Sequence, residues 1–461
     1  MKNLLKTLVS GAPCYVEARY HKRTSKNFMV QKGRVDTAHH ASTVGVGVRA
    51  LVNGSWGFSA TSQMNPASLK QALNDAIEMA KLMAKLRKSE PISLAKANLA
   101  TQDIIGPDYH ELYSMSSSDK LQQIIELEKQ IQTASKSIQS ASCSYKEIFE
   151  EKIVVTSDGA EGSYKIALPE VSFSAIAEGH GEQSFMHQGA GVSGGWTCLY
   201  NHPSIQNATE NTAKLAVDLL DAKYPDGGVK TCILSPDLVG LLCHEAIGHT
   251  VEADFVTSGS VAQGMIGKRV GSDLVNMADT GCEVISGYAV GNIPFDDEGV
   301  KTETTTIIEN GILKSYLHNR ESAAEFGVNP TGNARAWLYN DEPLIRMRNT
   351  YFLPGTNSLD QMISEVEDGY LVEGAGSGQA DSNGEFMFGS SYIWEIKSGK
   401  KTRLLRDATL SGIAFDVLDT VDAVSKEFQW SLGTGYCGKG QPAKVDAGGP
   451  YVRCKIQVGG R

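Results

Sequence analysis

The stretch Cys-His-Glu-Ala-Ile-Gly-His, at positions 243–249, constrains the fold of this chain more than any other. Its two histidines, His244 and His249, are five residues apart and would point about 140° away from each other on a regular α-helix. They can face one another only if the helix changes near Gly248. We therefore predict either a π-bulge, which inserts one residue into a turn, or a helix that ends around Gly248.

A helix is expected here because the preceding residues carry the usual start signals. Ser235 is a candidate N-cap, and Pro236 suits the first helical position, where its missing N–H costs nothing. Apolar residues then recur at steps of three and four along one face: Leu238, Leu241, Leu242 and Ala246. A histidine–glutamate pair on such a buried helix needs polar partners, since burying an unpaired polar group is costly.

The pattern is typical of a metal site with hydrolytic chemistry. Neutral imidazoles are common zinc ligands, so His244 and His249 are candidate ligands, and Glu245 is placed to act as a general base toward a metal-bound water. A short string of this kind also arises by chance, so a metal site based on the two histidines alone is only a hypothesis. A catalytic zinc usually has three protein ligands and one water, which leaves a third ligand to be found.

Cysteine, aspartate, glutamate or a further histidine are the candidates for this third ligand. Cys243 directly precedes His244 and projects about 100° away from it on a helix, so packing is its more ordinary role. Cys437 lies in a glycine-rich loop, where the backbone can approach a crowded site and where Lys439 could help to keep a thiolate deprotonated. A flexible loop with an incidental cysteine fits the same composition, so the residues alone leave this ligand open.

The overall composition argues against several classes of protein. The formal net charge of −10 disfavours non-specific binding to nucleic acid, which depends on clustered lysine and arginine. The apolar runs are too short for a membrane span. The eight cysteines are scattered and none forms a Cys-x-x-Cys pair, so we expect reduced thiols in a cytoplasmic protein. A charge inside the apolar run of residues 1–8 favours an amphipathic first helix over a secretory signal.

The pattern of apolar residues and turns in the first half of the chain indicates an α+β fold, with an antiparallel sheet covered by helices. The expected strands are 15–20, 44–52, 56–58, 148–157 and 164–175. An Asn53-Gly54 turn should join the second and third of these strands in a hairpin. The expected helices are 66–88, 117–139 and 204–221.

From residue 280 onward the sequence is rich in turns and short apolar runs. The strands expected there are 302–308, 312–317, 351–353, 385–388, 392–396 and 408–413. Short strands with tight turns between them favour a closed or sandwiched β domain, resembling a barrel or a sandwich. Proline and glycine at 225–228 mark a boundary. We therefore predict an N-terminal α+β domain at 1–225, with a sub-boundary near 90–115, and a C-terminal β-rich catalytic domain at 226–461 that carries the metal-site helix.

Taken together, these residues resemble the TldD/PmbA family, long labelled modulators of DNA gyrase and now regarded as peptidases. His244, Glu245 and His249 match the His-Glu-x-x-x-His string of its TldD branch. Blocks elsewhere agree, so the resemblance spans nearly the whole chain. They are Gly-Val-Gly-Val-Arg at 45–49, Asp-Glu-Gly-Val at 297–300, Ile-Glu-Asn-Gly at 308–311, Arg-Met-Arg-Asn-Thr-Tyr-Phe-Leu-Pro-Gly at 346–355 and Cys-Gly-Lys-Gly-Gln at 437–441.

The resemblance implies a zinc metallopeptidase that cleaves small or unfolded peptides. It implies that His244, His249 and Cys437 bind zinc, which selects Cys437 over Cys454, and that Glu245 activates the zinc-bound water. It also implies a dimer, either a homodimer or a heterodimer with a TldE/PmbA-type subunit that lacks the metal string. The alternative is a non-catalytic scaffold or partner subunit of such a complex, which would be expected to lack that string.

One loop departs from the family pattern. Thr-Gly-Asn-Ala-Arg-Ala at 331–336 stands where Gly-Asn-Gly-Arg-Arg is expected. If this loop contacts substrate, we expect a different substrate preference. Arg335 is a candidate to hold a peptide carboxylate in a bidentate pair, with Asn333 beside it, although a structural salt bridge at the surface would explain Arg335 equally well.

Overall fold

The computed structural model describes residues 1–282 and 289–459, and most of their strands belong to two large β-sheets. The first sheet is formed by β1 Tyr15–Gln31, β2 Arg34–Val52, β3 Ser55–Thr61, β4 Asp103–Ile105, β5 Ile138–Thr156, β6 Glu161–Gly179 and β7 Glu182–Gly191. The strand order is β3-β2-β1-β5-β6-β4, with β7 also paired to β6, and all pairings except β4–β6 are antiparallel. The predicted α+β class and the N-terminal antiparallel sheet are confirmed.

The helices of the N-terminal half pack on this sheet. They are α1 Lys2–Ser10, α2 Pro66–Leu86, α3 Tyr109–Ser114, α4 Ser117–Thr133, α5 Trp196–Tyr200 and α6 Ala208–Asp218. α2 begins as its sequence predicts, because the Asn65 side chain accepts a hydrogen bond from the Ser68 N–H. Its Leu69 is buried in an apolar cluster with Leu5 of α1 and Val48 of β2. The expected amphipathic first helix is therefore present, with its apolar side against the sheet.

The strands of the C-terminal half form the second large sheet and two small hairpins. They are β8 Gly228–Leu234, β9 Met277–Thr280, β10 Thr305–Glu309, β11 Ile312–Leu313, β12 Ala334–Arg335, β13 Leu344–Ile345, β14 Asn349–Phe352, β15 Asp368–Ala380, β16 Glu385–Lys397, β17 Lys400–Leu405, β18 Thr409–Ile413, β19 Ala423–Trp430, β20 Tyr436–Gly438, β21 Pro442–Lys444 and β22 Asp446–Val458. β12 pairs with β13 and β20 with β21, each as a separate two-stranded sheet.

The large C-terminal sheet closes on itself. Its strand order is β11-β10-β9-β14-β22-β18-β16-β15-β8, with β17 on β16 and β19 on β22. β8 also pairs along β22, from Leu234 opposite Val452 to Gly228 opposite Val458. This pairing closes β8, β15, β16, β18 and β22 into a barrel, which confirms the predicted β-rich, barrel-like region.

The helix that carries the 243–249 motif is held by this barrel. α7 Pro236–Leu241 continues into a π-helix, Leu242–Gly248, and the later helices are α8 Ala253–Thr257, α9 Arg320–Phe326, α10 Leu359–Ser364 and α11 Ala414–Asp419. Apolar residues of α7 and the π-helix share one buried cluster with residues of β15 and β22: Leu238, Leu242, Ala246, Val372 and Val452. At Gly240 the helix lies so close to β22 that an added Cβ would be 2.9 Å from the Ala447 carbonyl carbon. The barrel therefore fixes where the motif lies.

Several predicted elements are in place but differ in length. β16 is one strand where the sequence predicts two, because Gly389 and Ser390 continue the pairing with β18 and β15. The helix predicted at 117–139 ends at Thr133, since β5 begins five residues later and pairs with β6. Within residues 1–282 and 289–459, no helix combines the length and apolar character that a membrane crossing requires. The domain boundary at 225 stays a prediction.

Candidate metal centre

The motif helix has the predicted start and the predicted distortion. Pro236 takes the first position of α7 after Ser235, although the Ser235 side chain does not cap the helix. In the π-helix that follows, the His249 N–H donates to the His244 carbonyl at 3.3 Å. This hydrogen bond across five residues is the signature of a π-helix. The spacing of the two histidines therefore predicted the distortion correctly.

The π-helix brings the two imidazole rings together. The ring centroids of His244 and His249 are 5.1 Å apart, with their planes at 78°. Gly248 is needed for this packing, since a Cβ there would lie 2.0 Å from Sδ of Met347. His244 is buried, whereas Glu245 beside it is partly exposed. The two rings thus converge in the interior, and the carboxylate has access to solvent.

Cys437 completes a compact group with the two histidines. It lies on β20, and its Sγ is 3.2 Å from Nε2 of His249. One ligand atom from each of His244, His249 and Cys437 lies within 4.8 Å of the other two. In the part of the chain that the structure describes, no other group of three His, Cys, Asp or Glu side chains has a spacing suited to a metal ion.

The ionisation of the thiols separates Cys437 from the two other candidates. Cys243 and Cys454 are buried, and burial raises the pKa of both thiols, that of Cys454 to about 12. Burial alone would also raise the pKa of the Cys437 thiol, but hydrogen bonds and charges from His244 and His249 lower it to about 5. Since a cysteine binds a metal as the thiolate, Cys437 is the thiol best prepared for that role.

Two charged side chains lie behind His249. Glu252 is fully buried, and its Oε2 accepts hydrogen bonds from Nδ1 of His249 at 3.2 Å and from Nζ of Lys439 at 3.0 Å. Lys439 also donates to Asp254 at 2.7 Å and to the Ile345 carbonyl at 3.0 Å. The sequence suggests that Lys439 faces a thiolate. Instead, Lys439 fastens the β20–β21 hairpin to the segment that follows the π-helix.

The charges of this group depend on one another. Burial would raise the pKa of Glu252, but its hydrogen bonds to His249 and Lys439 and their charges lower it, so the carboxylate is ionised. Burial would lower the pKa of His249, but hydrogen bonds and charges from Cys437 and Glu252 raise it to about 10. Because Glu252 holds Nδ1, Nε2 is the His249 nitrogen available to a metal, and binding must release its proton.

The residues of this group fit a zinc ion. Nδ1 of His244 is buried and has no hydrogen-bond partner among the residues that the structure describes. An imidazole nitrogen left unpaired in a buried site is costly, and a cation at the centre of the group would offset that cost. Two imidazoles and one thiolate suit zinc, and three protein ligands leave one coordination position for water.

The loop that departs from the family pattern is bonded to the protein's own backbone. Asn333 is fully buried, and its amide donates to the Arg346 carbonyl at 2.9 Å. The Arg335 guanidinium donates to the carbonyls of Met347 at 2.7 Å and Lys444 at 2.6 Å. The observed acceptors of Arg335 are carbonyls rather than the carboxylate that a surface salt bridge would supply. The substrate-binding role of Arg335 and Asn333 stays a prediction.

Sequence reasoning missed two residues that shape this centre. Glu252 follows His249 by three residues, a spacing at which helical side chains meet, so the sequence offered a signal for it. Arg346 is fully buried and donates to the carbonyls of Cys437 at 2.8 Å and Gln441 at 2.7 Å. It thereby braces the hairpin that carries the thiol. Nothing in the sequence around Arg346 indicates which distant backbone it meets.

Comparison with known proteins gives matches along the whole chain. Models for PmbA/TldA metallopeptidases match residues 16–80 as domain 1, 110–220 as the central domain and 227–460 as the C-terminal domain. A metalloprotease of Methanocaldococcus jannaschii is 33% identical over 447 residues, which cover 95% of this chain and 95% of that protein. A zinc metalloprotease TldD homolog of Saccharolobus solfataricus is 28% identical over 97% of this chain and 96% of its own length.

Solved structures share the fold. A candidate modulator of DNA gyrase from Thermotoga maritima superposes with a TM-score of 0.82 at 19% identity, over 99% of this chain and 100% of that one. TldE from Thermococcus kodakarensis gives a TM-score of 0.75 at 18% identity, over 99% and 98% of the two chains. At these identities the likeness concerns the fold alone.

Proposed function

The chain belongs to the PmbA/TldA metallopeptidase family, and from that premise we propose that it is a zinc-dependent peptidase with its active centre at His244, Glu245, His249 and Cys437. The observation that carries this proposal is the approach of two imidazoles and one ionisable thiol to within 4.8 Å of one another. The name of a relative that matches over nearly the whole chain, a zinc metalloprotease, supports zinc as the metal.

Each residue of the group has a separate role in this proposal. His244, His249 and Cys437 would hold the zinc, which when bound would lower the pKa of a water and polarise the scissile carbonyl. The Glu245 carboxylate accepts a proton from the attacking water and donates it to the leaving amine. Glu245 suits this role because it adjoins a ligand on the π-helix and is partly exposed, so that water and substrate can both reach it.

The substrate and the assembly follow from the family resemblance. We propose small or unfolded peptides as substrates, and a dimer as the active unit, either of two copies of this chain or with a TldE/PmbA-type subunit. Light scattering on the purified chain distinguishes the two assemblies. A stable dimer with peptidase activity supports the homodimer. A monomer that becomes active only when the second kind of subunit is added supports the heterodimer.

Substitution of Glu245 by glutamine tests the proposed chemistry. Glutamine keeps the size of the side chain but cannot accept the proton, so we expect peptide hydrolysis to fall by roughly 10²–10⁴-fold, the usual contribution of a general base. Bound zinc and the folded state should be retained. Unchanged activity would contradict the role of Glu245. A wild-type protein that binds zinc but cleaves no peptide, alone or with a partner subunit, would favour the scaffold alternative.

A further inference from the structure

A small cavity lies behind the hairpin that carries Cys437. Its volume is about 20 Å³, enough for one water molecule or one monatomic ion. It lies where strands of the first sheet meet β21. Its charged lining residues are Arg23, Glu150, Lys152, Arg335 and Lys444. Four of these five side chains are cationic, so the cavity has an unusual electrostatic environment for a buried space.

Arg23 lines this cavity and has two N–H donors without a hydrogen-bond partner among the described residues. Its Nη2 donates to Oε1 of Glu150 at 2.5 Å, and its guanidinium carbon lies 3.4 Å from the centre of the Trp337 ring. The side chain is only 10% exposed. Its Nε and Nη1 are buried and have no hydrogen-bond partner within residues 1–282 and 289–459. Two charged N–H groups without acceptors are costly in a buried site, so an acceptor is expected beside them.

The buried carboxylates do not balance the cations around the cavity. Arg23 shares Glu150 with Lys152, and Lys152 shares Asp297 with Arg19. Arg335 adds a further positive charge, and its observed acceptors are carbonyls. The four cations are Arg19, Arg23, Lys152 and Arg335, and the two carboxylates are Glu150 and Asp297. Among residues 1–282 and 289–459, two positive charges therefore remain in excess.

Two neighbouring groups leave this excess unchanged. His21 contacts Glu150 at 2.9 Å, but burial and the charge of Lys152 lower its pKa to about 3, so the ring is neutral and adds no charge. Lys444 is paired with Glu170, which also contacts the partly exposed Lys146, so Lys444 is not counted in the excess. A water molecule would satisfy the Arg23 N–H groups but would not offset the charge, whereas an anion would do both.

We propose that this cavity binds a monatomic anion of the size of chloride, which accepts hydrogen bonds from Nε and Nη1 of Arg23. The site is separate from the proposed zinc centre and needs no peptidase activity. It lies beside the same hairpin, however, because Pro442, Ala443 and Lys444 of β21 line the cavity and Ala443 pairs with Cys437 across the hairpin.

The test uses the full chain and chloride itself as the probe. Arg23→Met removes the donors, and Arg403→Met is the matched control, because Arg403 is 56% exposed and pairs with Glu395 on another part of the surface. In ³⁵Cl NMR we expect protein-dependent line broadening, competed by bromide, with the wild type and Arg403→Met. Arg23→Met should lose it. Replacing gluconate by chloride at constant ionic strength should raise the Tm of the first two proteins by about 1–2 °C.

Equal ³⁵Cl broadening with folded wild type and folded Arg23→Met would overturn the proposal. If Arg23→Met does not fold, crystals of the wild type soaked in bromide decide the question. An anomalous peak within hydrogen-bond distance of Arg23 Nε or Nη1 would support the anion site. An ordered water there, with no bromide, would overturn it.

Discussion

Replacing Glu252 by glutamine should weaken zinc binding although no ligand is removed. The fully buried Glu252 carboxylate accepts from Nδ1 of His249 at 3.2 Å and from Nζ of Lys439 at 3.0 Å. Glutamine keeps the volume and one acceptor oxygen but loses the charge, so His249 loses the anionic partner that raises the basicity of its Nε2. The loss of such a carboxylate usually costs about 10–100-fold in metal affinity, which is about 1.4–2.8 kcal/mol.

Competition with a chromophoric chelator at fixed pH measures this loss. Glu309→Gln is the matched control, since Glu309 is exposed and pairs with Lys314 at 3.2 Å, and its zinc affinity should equal that of the wild type. The cobalt-substituted protein provides a second readout. Its thiolate charge-transfer band should persist in Glu252→Gln, because Cys437 is unchanged. Wild-type zinc affinity in a folded Glu252→Gln protein would refute the argument that the charge of Glu252 strengthens His249 as a ligand.

Two further predictions concern packing and pH. Gly248→Ala places a Cβ 2.0 Å from Sδ of Met347. Urea denaturation should therefore show a loss of about 1–3 kcal/mol in the free energy of unfolding. The control Gly389→Ala, whose Cβ meets only Gly376 at 4.0 Å, should lose much less. Equal losses would contradict the close packing at Gly248. His21 has a pKa of about 3 in the folded protein because it is buried beside Lys152, so below pH 6.5 the unfolded chain binds its proton more readily. Because of this residue, the free energy of unfolding should fall by about 1.4 kcal/mol per pH unit from pH 6 to pH 4. The decline should be shallower in His21→Gln. Identical pH profiles of the two proteins would contradict the lowered pKa of His21.

The helix distortion could be predicted because it follows from local spacing alone. Two histidines five residues apart cannot converge on a regular α-helix, so any site that uses both needs an extra residue in the turn. The third residue of the group could not be derived in the same way. Cys437 is 188 residues from His249 in sequence, and the two meet only because a barrel holds the motif helix beside the hairpin. Family resemblance, rather than local pattern, selected this cysteine.

The contacts that support the metal centre and the lengths of the strands could not be predicted from local sequence patterns for a related reason. The sequence places Lys439 close to Cys437, but its partners, Glu252 and Asp254, are more than 180 residues away. β5 and β6 are 19 residues long, and their pairing continues through polar positions because β5 also pairs with β1 and β6 with β7. Apolar alternation marks only the part of a strand that faces a core.

Metal content tests the central claim most directly. Inductively coupled plasma mass spectrometry on the purified wild type should find about one zinc per chain. Cys437→Ser, prepared in parallel, should retain much less zinc, because it loses the thiolate that lies 3.2 Å from Nε2 of His249. A wild type without zinc, or a Cys437→Ser protein that retains all of it, would contradict the assignment of His244, His249 and Cys437 as the metal centre.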